Sequence, residues 1–191
     1  MFQSALASED LTSNENRTVG SDEVVTGPRY GIAAPATYTG DLRINGDVEA
    51  TGQSSADNST SATGVAVNLN GVTDPLAELA GLYGTISVES IGDNFYADLR
   101  ANAAGGPAID GQPGAAYATG IYVGGDVYSN GLIDIDSADV LVSTTGAGYS
   151  ELIGIDVDGD LQGEILVGDG ASIDLDGAAA ASRTLATGVD I

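Results

Sequence analysis

The residues whose types and spacing come closest to a known chemistry are Asp156, Asp158 and Asp160, in the stretch LIGIDVDGDLQGE from Leu152 to Glu164. Carboxylates at every second position are the raw material of a calcium loop. An EF-hand loop also needs glycine at its sixth place and glutamate at its twelfth. Counted from Asp156, those places hold Leu161 and Val167, so one loop does not supply the ligands. The nonapeptide calcium repeat fails as well, because GDGASIDLD has Ile173 where an aspartate belongs. A site between neighbouring repeats stays open. Asp126 and Asp160 each stand six residues after a recurring glycine, Gly120 and Gly154, and each follows a corner glycine, Gly125 and Gly159. Asp156 and Asp190 share the second place after theirs. In stacked repeats such partners lie about 4.8 Å apart, where two carboxylates repel by ~1 kcal/mol in water. Asp126, Asp158 and Asp160 are therefore the candidate ligands for weak calcium binding across a corner. A solvated acidic face is the alternative for the same residues.

Other chemistries have few residues to work with. Cysteine, histidine and tryptophan are absent, which removes thiol nucleophiles, imidazole bases and the usual zinc and copper ligands. A β-helical polysaccharide lyase or glycosidase needs paired carboxylates and commonly a base near the substrate. The only basic residues are Arg17, Arg29, Arg43, Arg100 and Arg183, scattered along the chain. No catalytic or cofactor-binding residue is expected, and the enzyme reading is the weakest of three. The formal charge of −23 makes nucleic acid and anionic membranes poor partners. No apolar run reaches transmembrane length, so no membrane insertion is expected in this segment.

The elements that carry the aspartates follow from a repeat. A short phrase returns as YGIAA at Tyr30, ATGVAV at Ala62, ATGIYV at Ala118, LIGIDV at Leu152 and ATGVDI at Ala186. Its glycines, Gly31, Gly64, Gly120, Gly154 and Gly188, are separated by 33, 56, 34 and 34 residues. After each glycine, apolar residues alternate with small or acidic ones, the period of a strand with one dry face. Further strands read as LIDID (Leu132 to Asp136), DVLV (Asp139 to Val142), EILV (Glu164 to Val167) and SIDLD (Ser172 to Asp176). With 28 glycines and many Asn and Asp corners, three strands per repeat describe one coil of a parallel β-helix. The expected interior column is Ile32, Val65, Ile121, Ile155 and Val189.

The pieces ATGIYVGGDV (Ala118 to Val127), LYGTISVES (Leu82 to Ser90), GIDVDGDL (Gly154 to Leu161) and ATGVDI resemble the passenger domains of bacterial autotransporters, the type V secreted proteins. The resemblance spans Tyr30 to Ile191. It implies an all-β fold, a right-handed parallel β-helix of about five coils, at the bacterial cell surface or outside the cell. It also implies an adhesive or structural role toward an extracellular glycan, matrix or host surface. Two departures stand out: no secretory signal is visible at the start, and no membrane barrel ends the chain. The expectation is therefore a piece of such a protein, or a separate solenoid with a similar repeat.

Residues 1–29 read as a polar leader or partial first coil, and 30–191 as the repeats. The long interval places an insertion at about 70–116, including a short helix at Thr73–Gly81: Asp74 caps it, Pro75 opens it and Gly81 stops it. Any specific binding is expected there. Tyr83, Tyr96, Tyr117, Tyr122 and Tyr128 lie near it, and stacking along the coils is their expected role. Uncapped coil ends leave self-association into an end-to-end filament as the second functional reading.

Overall fold

A computed structural model describes residues 7–54, 59–68, 80–91, 97–105, 114–146, 148–177, 181 and 183–191. The chain forms five tiers of strands and begins a sixth. Tier one holds β1 (Ala7–Asp10), β2 (Arg17–Val19) and β3 (Val24–Gly27); tier two holds β4 (Tyr30–Ala34), β5 (Thr37–Tyr38), β6 (Asp41–Ile44) and β7 (Asp47–Thr51). After the short β8 (Gln53–Ser54), tier three holds β9 (Ser59–Val67), β10 (Gly81–Leu82), β11 (Thr85–Glu89) and β12 (Asp98–Ala104). Tier four is β13 (Ala115–Val123), β14 (Asp126–Val127), β15 (Leu132–Asp136) and β16 (Asp139–Thr145). Tier five is β17 (Tyr149–Val157), β18 (Glu164–Val167) and β19 (Ser172–Asp176), and β20 (Arg183–Asp190) opens the sixth.

Equivalent strands pair in parallel, giving four stacks: β1-β4-β9-β13-β17-β20, β5-β10-β14, β2-β6-β11-β15-β18 and β3-β7-β12-β16-β19. A bridge from Val127 to Leu161 carries the second stack into tier five. Only β8 runs antiparallel among the described pairs, folding back on β9. The architecture is thus all-β, with parallel strands in stacked sheets, and is compatible with a β-solenoid. Residues 7–27 belong to it, since β1, β2 and β3 pair with β4, β6 and β7.

The period-two pattern decides the core. Ile32, Val65, Ile121, Ile155 and Val189 pair in register as one column. The first four are fully buried, while Val189 in the last strand is 40% exposed. Leu42, Ile86, Ile133 and Ile165 form a second column, and Val48, Leu99, Val140 and Ile173 a third. Burying each such side chain stabilises the fold by about 1.5–3 kcal/mol relative to exposure.

The repeated glycines have a steric reason. In β9 the inward positions are 60, 62 and 64, then 65 and 67, so the alternation slips by one residue at Gly64. The strand bends toward the opposite wall at that point. A Cβ on Gly64 would stand 2.6 Å from Leu99 Cδ1 and 2.8 Å from the Gly120 carbonyl oxygen; one on Gly120 would meet Val140 Cγ1 and the Gly154 carbonyl oxygen, both at 2.5 Å. Only glycine fits without displacing the next tier.

No helix occurs among the described residues. Of the helix expected at Thr73–Gly81, residues 73–79 lie outside the described residues, Ala80 is not helical, and Gly81, its expected stop, instead begins β10 at φ 143°. Nor is 70–116 a single insertion. Its described strands form most of tier three, in register with tiers two and four. Residues 69–79, 92–96 and 106–113 lie outside the described residues.

Candidate functional site

The expected corner aspartates sit where β13 and β17 hand over to the second stack. The Val127–Leu161 bridge sets Asp126 beside Asp160, as the six-residue count requires. Asp126 is engaged in holding that corner. Its Oδ1 accepts the Asp160 backbone N–H at 2.8 Å, and the Val127 N–H donates to the Asp160 carbonyl at 3.0 Å. A side chain on Gly159 would collide with the same Oδ1, which explains the glycine before Asp160. Asp158 is occupied differently: its Oδ2 accepts the Tyr122 hydroxyl at 2.6 Å, and its N–H donates to the Val123 carbonyl. The tiers therefore bring Asp126 and Asp160 together and turn Asp158 toward Tyr122. Among the described residues no group of three or more His, Cys, Asp or Glu side chains is arranged to hold a metal ion.

Asp156 is the more unusual carboxylate. It lies in the outward column Ala33, Ala66, Tyr122, Asp156 and Asp190, on the outer side of the glycine bend. There Tyr30, Ala33 and Ala66 are buried against one another, with Tyr122 packed on them. Burial pushes the Asp156 carboxyl up to about 6, and the charges of Asp158, Asp190 and Glu151 push in the same direction. Burial and the bond to Asp158 also raise the Tyr122 hydroxyl. The arrangement can hold a proton on Asp156 in mildly acidic solution and release it above. Asp156 and Asp190 pair in register, as their shared place after the glycines requires.

A second acidic column escaped the sequence reading. Asp98 stands opposite Asp139 in the fourth stack, and Asp47 occupies the next place along it. Burial raises the Asp98 carboxyl, against the pull of Arg100, which bonds it; Arg100 also lies 3.8 Å from Asp47. Asp139 accepts the Ser172 hydroxyl at 2.7 Å. The unequal corners of tier three hide this register, since Asp47, Asp98 and Asp139 fall at no fixed interval.

The arginines are spent locally. Arg43 pairs with Glu89 at 3.0 Å, and the guanidinium groups of Arg29 and Arg183 lie 5.2 and 5.9 Å from the ring centroids of Tyr30 and Tyr149. The tyrosines stack along the tiers: Tyr83 and Tyr128 lie face to face with centroids 3.9 Å apart, and Tyr117 tilts against Tyr149 at 5.9 Å. Tyr96 lies outside the described residues. No family model, curated protein or solved structure matches the chain.

Proposed function

We propose that the chain is a right-handed parallel β-helix of about five coils that serves as a non-enzymatic rod. On this reading it is a stalk or passenger fragment presenting an adhesive surface to an extracellular glycan or matrix, outside the cell or at a bacterial cell surface. The observation that carries the reading is the continuity of the ladders. The same inward columns run from tier two to tier five without interruption, so the residues that repeat are those that build length. Right-handedness follows the usual sense of parallel crossovers. The charge of −23 keeps such a repetitive β surface soluble and repels copies from one another. Tier three, with its longer corners, is where a partner-specific surface fits on a rod of this kind.

The test uses the spacing of tier four. Between Val123 and Asp126 lie only Gly124 and Gly125, and deleting 69–79 would leave Asn68 and Ala80 in the same place. The full chain and this deletion are screened against arrayed glycans and matrix proteins, with thermal melts of both. The expected result is binding that the deletion removes while the melt is kept. Binding that survives places the contact surface elsewhere, and turnover of any arrayed polysaccharide overturns the non-enzymatic reading.

A further inference from the structure

The position beside β4 is one that two strands of this chain can fill. In the chain itself it is taken by β1, which is four residues long and sets Ala7 against Tyr30 and Glu9 against Ile32. Glu9 therefore occupies the inward column that every later tier fills with Ile or Val. The neighbouring strand repeats the exception, with Arg17 in the place of the Leu42 column. The two charges are tied together. Arg17 donates from Nε to Glu9 Oε1 at 2.6 Å and from Nη2 to Glu9 Oε2 at 3.1 Å. Its Nη1 reaches Glu23 Oε2 at 3.2 Å and its Nη2 also bonds Glu23 Oε1. Glu23 in turn accepts the Gly20 N–H at 3.1 Å. The network spans β1, β2 and the turn before β3, above Leu11, Val19 and Val25, all buried.

At the opposite end β20 is eight residues long and carries the repeat phrase. Val189 pairs with Ile155 and Thr187 with Ile153. Laid beside β4 in that register, β20 of a second copy would put Val189 over Ile32 and Thr187 beside Tyr30. Two further stacks then continue across the junction. With β20 of the second copy in the place of β1, the first copy's own β2 and β3 fall on the second copy's β18 and β19. Exposed Leu185 and Val189 of the last strand and Ile191 just past it would be covered. What opposes this is charge: Arg17 would face Ile165 in a dry column, with water stripped from it and from Glu23.

We propose that β1 and the Glu9–Arg17–Glu23 network form a charged plug, which keeps β20 of a second copy from replacing β1 and extending the stack head to tail. The proposal stands on the ladder registers and does not depend on the display role. The test is sedimentation velocity across a concentration series, with circular dichroism to show that each variant is folded. Wild type should remain one species. Arg17→Met frees Glu9 and makes the column apolar, and should give species that grow with concentration. Adding Val189→Asp to Arg17→Met should return the single species, because it charges the incoming strand. The idea fails if folded Arg17→Met sediments like wild type, if wild type grows to the same extent, or if the double variant still grows. Should Arg17→Met not fold, Glu9→Gln carries the test, since it weakens only the hold on β1. A labelled peptide of residues 183–191 should then bind Glu9→Gln about tenfold more tightly than wild type, the loss expected for one charge-assisted bond. Equal binding to both overturns the plug.

Discussion

In tier one, Glu9 and Arg17 stand in columns that the following tiers fill with Ile32 and Leu42, and their charges meet in a network with Glu23. In the last tiers Val167 and Val189 hold inward positions with 48% and 40% of their surfaces exposed, and no ion pair involving those tiers occurs among the described residues. The ladders are the same at both ends; the difference lies in what the inward positions carry. A repeat that extends by adding like to like needs a defence only where an incoming strand would land, and charge placed inward is such a defence. The apolar end is what any extension of the stack would use.

The sharpest way to break the comparison is to give a middle tier the character of an end. Ile155→Asp buries a charge without a partner between Ile121 and Val189, and should cost about 3–5 kcal/mol, seen as a fall in the urea midpoint. Val189→Asp, one tier further on, should cost less than about 1 kcal/mol, because water reaches that position. Equal losses would mean that the last strand is as dry as the middle.

Glycines give the same contrast on a smaller scale. Gly120→Ala drives a methyl into the Gly154 carbonyl and Val140 and should cost about 2 kcal/mol. Gly188→Ala meets nothing within 4 Å and should stay within about 0.5 kcal/mol of wild type in the same titration.

Two smaller effects separate the ends by pH. Glu23 is held below its usual range, first by Arg17 and then by the Gly20 N–H. Its contribution is present above the ordinary glutamate range and is lost as pH falls through the lowered value. Asp156 has the opposite sign: raised to about 6, it favours the fold fully below the ordinary aspartate range and loses that contribution as pH rises through 6. Asp156→Asn should therefore raise stability at pH 8 by about 1 kcal/mol, a figure reduced for solvent screening of a half-buried group. The gain should disappear near pH 4, and a gain of equal size at both pH values would assign the effect to packing.

The smallest expected effect is that of calcium. Because Asp126 already holds the Asp160 N–H and Asp158 the Tyr122 hydroxyl, millimolar calcium should raise Tm no more than sodium chloride of equal ionic strength. An excess with calcium that Asp160→Asn removes would instead identify the corner as a cation site.

Much of the stack was legible before any coordinates. A glycine returning after 33, 56, 34 and 34 residues, each time followed by alternating apolar residues, is enough to place Ile32, Val65, Ile121 and Ile155 in one column, since parallel pairing sets like phrase beside like. It also sets Asp126 beside Asp160 and Asp156 beside Asp190. Tier one was legible only as a polar leader or partial first coil, because it lacks the glycine phrase and runs only 23 residues from Ala7 to its partner Tyr30. The long interval in tier three looked like one insertion because sequence spacing sums all the corners of a tier and does not say how the surplus is shared.

What the chain wrote down by itself is periodic: which residues face inward, and which carboxylates share a level, because both depend only on counting along an extended backbone. What tertiary structure decided is the surroundings of each outward group. Asp156 and Asp158 are the same residue type two positions apart, one in β17 and one just past its end. The bend at Gly154 sets one into the packed outer column beside Tyr122 and Asp190, raising its carboxyl, and leaves the other to accept the Tyr122 hydroxyl. Burial and charge depend on neighbours from other tiers, and those neighbours are brought close by packing, which local order along the strand does not contain.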